Sequence, residues 1–350
     1  MTTSPGRFIS VIVPTYGRPL SLRRCIASLA SQGYPPESFE VIVVDDGGHP
    51  PAAGNLSGEL PRHIQVVLIR QPHQGASVAR AAGIARARGH VLAFLDDDCT
   101  VSPDYLQAID RVFRTHPETQ VVQVGLHNPE PDNIYGRAWK FALEETLKVN
   151  LHPTPEGRFT CGIVGGVMVA RRDVFTEVPL ERTLSGGRHD ADFRYQLQAR
   201  NVPVYYEPQI RVFHHCRQTL RSYLAQYFGY GRGEFHLQEK WGASPRPFRY
   251  VSLVSWRQLQ SLLGAEGVLR GLAVYCILWL KRHAGLWGMV YEAAAWRFPQ
   301  RGVGRWTRFG WLLFTTYVRR IAGVCRGVLR QGLPTAISLR RRHQPGSSGT

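Results

Sequence analysis

The chain has 350 residues, 43% of them hydrophobic, which is enough for one large domain or two smaller ones and far from the composition of a disordered chain. Its formal net charge of +17 is confined to one end. Residues 1–215 hold 22 basic and 22 acidic side chains, whereas residues 216–350 hold 21 basic against four acidic. Such asymmetry suggests a basic module that meets a polyanion, either an anionic membrane or a nucleic acid. The six cysteines, Cys25, Cys99, Cys161, Cys216, Cys276 and Cys325, are scattered with no Cys-x-x-Cys spacing. That argues against a zinc site or a disulfide framework and suits a reducing compartment. The opening apolar run FISVIV is too short for a secretory leader, so none is expected.

Taken in order, the first half alternates strand and helix patterns. RFISVIVPTY is apolar and β-branched, a strand. PLSLRRCIASLASQG places Leu22, Ile26 and Leu29 on one helical face, with Pro19 opening the helix and Gly33 closing it. FEVIVVDDGG is a second buried strand, HIQVVLIRQ a third, GASVARAAGIARARG an Ala-rich helix and HVLAFLDDD a fourth strand. SPDYLQAIDRVFRTHP is a helix with Ser102 as N-cap and Pro103 at its first position, and TQVVQVGLH is another strand. Near-continuous apolar strands alternating with helices predict an α/β fold, a mostly parallel sheet covered on both faces.

Beyond residue 215 the texture changes. Leu220, Tyr223, Leu224, Tyr227 and Phe228 fall at helical spacing, an amphipathic helix. The apolar stretches 272–280 and 309–318 are each about half of the ~20 residues that a spanning helix needs, and Trp, Tyr, Arg and Lys flank both. This pattern suits helices lying in a membrane interface. The tail RRRHQPGSSGT has the composition of a disordered segment.

In open sheets of this kind ligands bind beyond the carboxyl ends of the strands. The segments PTYGR, DDGG and DDD each follow a strand, so all three are expected in one crevice. Adjacent carboxylates repel, and a divalent cation turns that repulsion into ligation. Side chains alternate along an extended segment, so Asp96 and Asp98 point to the same side. An Asp-x-Asp pair there suits Mn²⁺ or Mg²⁺ carried by a diphosphate.

The ordered set SVIVPTYGRP, VIVVDDGG and GHVLAFLDDDCTVSPDYL resembles the inverting family 2 glycosyltransferases of GT-A (Rossmann-like) fold, over roughly residues 8–215. The resemblance implies that Pro14, Thr15 and Tyr16 flank a nucleotide base and that Asp45 or Asp46 bonds base or ribose. It implies further that Arg18, Gly75 and Arg80 contribute to the donor site, and that Asp96, Asp97 and Asp98 hold ribose and a metal-bound diphosphate. Gly165 and Gly166 of CGIVGGVMV would let bare backbone approach the sugar. Asp190 of GGRHDADF matches the family's general base, with Asp192 as a competing candidate. The family's usual Glu is His189 here, its usual Arg is Gln196, and the Asn often found after Arg80 is Ala81. His214 or His215, at the end of VYYEPQIRVFHH, would complete the metal site, and His214 fits better.

A nucleic-acid-binding protein is a second reading of the basic third, but no helix-turn-helix, zinc-finger or RNP-like signature appears. A nucleotidyltransferase would carry a Gly-rich phosphate loop, which PTYGRP is not. The expected organisation is a catalytic domain over 1–215, a basic helical membrane-associated region over 216–335 and a tail over 336–350. The expected activity is inverting, metal-dependent transfer of a sugar from a nucleotide-diphospho-sugar to the hydroxyl of a glycan or lipid-linked acceptor. The expected place is the cytoplasmic membrane face, in cell-surface glycan or glycolipid synthesis.

Overall fold

The computed structural model describes residues 7–52, 61–160, 162, 166–182, 187–242 and 256–297. Gly165, Cys161, Cys325, the 309–318 stretch and the tail from 336 lie outside the described residues. Residues up to Glu292 form one compact unit, and those from Ala293 a second.

The first unit is built on a ten-stranded sheet. Strands β1 (Ile9–Thr15), β2 (Phe39–Asp45), β3 (Gln65–Arg70) and β4 (Val91–Phe94) pair in parallel in the order β3-β2-β1-β4. All seven residues of β1 and of β2 are buried, as their largely apolar runs require of strands covered on both faces, and the two interior polar residues, Ser10 and Glu40, bond each other at 2.7 Å. Alternation divides their side chains between two cores. Val11 and Val13 face helices α1 (Pro19–Ala30) and α3 (Tyr105–Thr115), where Leu22, Ile26, Tyr105 and Ile109 meet them. Ile12, Ile42 and Phe94 face α2 (Ala76–Arg86) and α6 (His189–Ala199), together with Phe175 of the short α5 (Val174–Glu177). Removing a side chain such as Leu22 from this packing would cost about 2–5 kcal/mol.

Beyond β4 the sheet becomes mixed. Strand β9 (Met168–Arg171) lies antiparallel to both β4 and β6 (Val121–His127), and β10 (Val204–His214) is parallel to β6. Two reversals restore the direction, so β10 runs the same way as β1 and ends at the same edge. Strand β5 (Cys99–Val101) pairs antiparallel with β10, setting His214 opposite Cys99. The small strands β7 (His152–Pro153) and β8 (Phe159–Thr160) complete the far edge. The GGVMVAR segment was expected only as a glycine approach; its apolar half is a central strand.

Two helix boundaries differ from expectation. Helix α1 ends at Ala30, and Gly33 instead donates its N–H to Pro103 O. Helix α3 starts at Tyr105, because Ser102–Tyr105 close a turn of their own through Tyr105 N–H to Ser102 O.

After the sheet, α7 (Leu220–Trp241), α8 (Trp256–Glu266) and α9 (Val268–Arg297) follow. The amphipathic 220–228 pattern continues two further turns and more. Val274 and Leu278, in the 272–280 stretch, are buried with Leu262 against Ala138 of α4 (Ile134–Asn150). That apolar stretch therefore turns part of its face to the protein. Among the described residues no helix is long and apolar enough to cross a membrane.

Candidate functional site

The crevice forms where β1, β2, β4 and β10 end. Thr15 closes β1 and its hydroxyl donates to Asp97 Oδ2 at 2.7 Å. Pro14 precedes it within the strand. Tyr16 follows, half exposed, with its ring stacked on His73 at 4.2 Å between centroids. An aromatic platform thus stands at the mouth of a site whose floor is acidic.

Asp45 and Asp46, at the end of β2, are buried and already bonded. Asp45 accepts the N–H groups of Gly48 and Ala52, both at 2.9 Å, and pairs with Arg70 at 3.1 Å. Asp46 accepts Gln74 N–H and Gln71 Nε2 on Oδ1, and Gly75 N–H and His73 Nδ1 on Oδ2. Each carboxylate therefore pins one of the loops framing the crevice. Gly75 opens α2 with φ +94°, a backbone angle that favours glycine.

The three acids after β4 diverge. Asp96 turns to Arg80, with Nη2 at 2.5 Å from Oδ1. Asp97 is fully buried against Arg18 at 2.6 Å. Burial pushes its carboxyl up to about 7; Arg18 opposes this, while the charges of Asp98 and Asp96 reinforce it. Asp98 lies between Arg18 at 2.6 Å, His214 at 3.7 Å and Arg217 at 3.8 Å. Burial alone would raise its carboxyl, but the charges of His214, Arg18 and Arg217 outweigh it and hold the group below the usual carboxylate range. Gly166 backs the Arg80–Asp96 pair: a Cβ there would collide with Arg80 Nη2 and stand 3.4 Å from Asp96 Oδ1.

Adjacent residues on a strand face opposite ways, and the two histidines separate accordingly. His214 stacks on Trp139 at 4.8 Å and turns Nε2 to Asp98. His215 turns away, with Nδ1 3.0 Å from Glu130 and Nε2 3.2 Å from Thr100 Oγ1. Among the described residues no group of three or more His, Cys, Asp or Glu is arranged to hold a metal by itself. Asp98 and His214 nevertheless make a facing oxygen and nitrogen pair. That suits an ion which takes its remaining ligands from a diphosphate and water.

Asp190 and Asp192 sit in the first turn of α6 and have different surroundings. Asp192 is fully buried and accepts from Gln196 Nε2 and Trp241 Nε1, both at 2.8 Å, with Lys240 Nζ at 3.0 Å. Asp190 is half-buried. The Tyr230 phenol is pushed up to about 12 by burial, and the charges of Asp190, Asp96 and Asp98 add to this. The Tyr230 ring lies against Gly187, just before α6. His189 is forced down to about 4 by burial and by Arg80, so it is a neutral imidazole at neutral pH.

Sequence reasoning missed Arg217, Trp139, His73 and Tyr230. Arg217 follows two residues after His215, a proximity that had been visible; the other three reach the site from loops or helices whose placement only folding determines.

The fold and the crevice define the GT-A-like class of α/β proteins. Residues 10–178, just under half of the chain, match the family model described as Glycosyl transferase family 2. The glycosyltransferase AglE of Haloferax volcanii is 34% identical over 111 residues, covering 30% of this chain and 35% of that protein. The validoxylamine A glucosyltransferase of Streptomyces hygroscopicus subsp. limoneus is 35% identical over 154 residues, 42% of this chain and 33% of that protein. In these alignments the chain spans about a third of each relative's length. A solved structure, the mannosyltransferase PcManGT from Pyrobaculum calidifontis in complex with GDP-Man and Mn²⁺, superposes with a TM-score of 0.56 at 15% identity. It covers 83% of this chain and 90% of that one.

Proposed function

We propose that the protein is an inverting, metal-dependent glycosyltransferase that moves a sugar from a nucleotide-diphospho-sugar to an acceptor hydroxyl. The observation that carries the reading is the Asp98–His214 pair set among Arg18, Arg80 and Arg217 at the strand ends. The guanidiniums neutralise the acids when the site holds no anion, and a diphosphate would compete for the same charges. The complex of PcManGT with GDP-Man and Mn²⁺ supports this choice of donor and ion.

In this reading the Tyr16–His73 stack carries the base. Asp46 shapes the His73–Gly75 loop, and Asp45, whose Oδ1 accepts a single bond from Gly48, takes base or ribose. Asp98 and His214 would hold the ion, which offsets the charge of the leaving diphosphate. Asp96 and Gly166 face the sugar side. Asp190 removes the acceptor proton, so that the acceptor oxygen attacks the anomeric carbon from the face opposite the leaving group. The bond to the diphosphate then breaks with inversion. Asp192, dry and fully bonded, holds structure instead.

We further propose a catalytic domain over 1–215 and peripheral attachment to the cytoplasmic membrane face through the basic region from 216. Glycan or lipid-linked acceptors would be met there. The charge asymmetry supports this, as do the exposed Val268 and Leu269 beside Arg270 at the start of α9.

The test is a panel of UDP-GlcNAc, UDP-glucose, GDP-mannose and dTDP-rhamnose with Mn²⁺ or Mg²⁺, reading release of the nucleoside diphosphate. One donor should turn over, and EDTA should silence it. Release from none of them would refute the reading.

A further inference from the structure

Helix α7 grips the turn of α6 that carries Asp190 at almost every other position. Both helices lie beyond the 10–178 family match. Gly187 packs its carbonyl on the α7 backbone at Gly233, where a Cβ would collide with it, and the Tyr230 ring lies over the same glycine. Arg188 adopts left-handed backbone, φ 72° and ψ 16°, and its guanidinium pairs with Glu234 at 2.9 Å. Ala191 packs on Leu237. Asp192 accepts from Trp241 Nε1 and faces Lys240. Helix α7 is braced in turn by α9, since Glu292 takes Arg232 at 2.6 Å and His236 at 2.8 Å. Gly231 and Gly288 also allow the two backbones to touch.

A non-glycine residue in left-handed backbone persists only where its surroundings over-determine it, and such strain gathers at functional turns. Here the strained residue stands two before the proposed base, with ion pairs on both sides of it.

We propose that α7 positions Asp190, with Glu234, Lys240 and Trp241 as positioning residues that act through Arg188 and Asp192. The inference rests on reading Asp190 as the base. It gives the basic C-terminal part a second task beside attachment: it sets the aim of the catalytic carboxylate. A small rotation of this turn would misplace the carboxylate relative to the acceptor hydroxyl, and a misplacement of about 1 Å can cost roughly 10²-fold in rate.

The experiment uses the full chain and the panel nucleotide sugar that it hydrolyses fastest. Glu234→Gln keeps size and removes the charge facing Arg188, and Trp241→Phe removes the N–H given to Asp192. Each should lower kcat by roughly 10- to 100-fold while KM for the nucleotide sugar and the calorimetric binding stoichiometry stay at wild-type values. In an Asp190→Ala background neither should lower the residual rate further, because the group they aim is gone. The exchanged pair Arg188→Glu with Glu234→Arg should recover much of the loss. Wild-type kcat in both folded variants would overturn the proposal. So would an equal drop in the Asp190→Ala background, which marks a general loss of structure. If Glu234→Gln does not fold, Trp241→Phe decides. If Asp190→Ala itself turns over at the wild-type rate, the base assignment fails, and this inference fails with it. If no panel sugar is hydrolysed, the proposed function has failed first.

Discussion

His214 Nε2 lies 3.7 Å from Asp98 Oδ1, a gap too long for a hydrogen bond and of a size that two ligands of one small cation leave between them. Trp139 backs the imidazole, and Arg18 and Arg217 back the carboxylate. Asp98→Ala should therefore remove the Mn²⁺ dependence of nucleotide-sugar binding, weakening metal-supported affinity by roughly 10- to 100-fold or more. The fold should survive, since Arg18 keeps Asp97. Calorimetric titration of the donor with and without Mn²⁺ measures this; an unchanged metal response in the variant would remove Asp98 from the ligand set.

Asp190 and Asp192 should differ in stability under the same change, because Lys240 and Trp241 hold only Asp192 in a buried socket, while turnover should fall in both. Asp190→Asn is expected to lower kcat by about 10²–10⁴-fold and to leave stability within about 0.5 kcal/mol. Asp192→Asn breaks a buried carboxylate away from Lys240 and Trp241 and should lower stability by about 2–3 kcal/mol, less than a fully buried pair because Lys240 is part-exposed. Urea unfolding and turnover on both variants separate the roles, and a reversal of the two patterns would exchange them.

Gly166→Ala tests the donor side from the backbone. A methyl group there must displace Arg80 Nη2, and Asp96 loses its partner. Nucleotide-sugar affinity should fall about tenfold or more, the scale of one lost charge-assisted contact. Equal affinity in the variant would mean that Arg80 and Asp96 are not used together.

The pH dependence of stability follows from His189. Its folded pKa of about 4 lies below the ordinary imidazole value of 6.5, so the unfolded chain binds the extra proton first. This contribution is fully present above pH 6.5 and is lost as pH falls towards 4, by an upper bound of about 3 kcal/mol. His189→Gln should be less sensitive than the wild type between pH 7 and pH 5 in denaturant titrations. Parallel curves for the two proteins would show that the imidazole does not contribute.

Membrane attachment is tested with vesicles. The full chain should pellet with anionic vesicles, release in high salt and ignore zwitterionic ones, because each basic side chain near an anionic surface is worth about 1 kcal/mol. Leu269, 85% exposed, is the most exposed large apolar side chain among the described residues. Leu269→Asp should weaken vesicle binding by roughly tenfold or more, the scale of losing a buried Leu. Cutting the chain near residue 245 is a poorer test, because it removes the Glu292 brace on α7. Retention through every wash short of detergent would contradict peripheral attachment.

The alternation of strands and helices was legible because it is local: apolar β-branched residues dominate β1 and β2, and the Leu22–Ile26–Leu29 face follows a 3.6-residue period. So was the crevice, since carboxylates placed directly after buried strands must gather where parallel strands end. Strand β9 was not legible. A four-residue apolar run after a glycine pair carries no sign of its direction, and direction is set by which neighbours it pairs with.

The sequence by itself determined the strands β1–β4 with the helices between them, the acid-rich strand ends and the segregation of charge, because each depends on neighbours along the chain. Only the tertiary structure decided what each acid does. It set Asp192 in a dry socket made by Trp241 and Lys240, tied Asp46 to the 71–75 loop and separated His214 from His215. Charge, burial and hydrogen-bond partners are properties of a place in space. The partners of these residues arrive from distant segments through the reversed strand β9 and the helix α7, which no local pattern in the chain encodes.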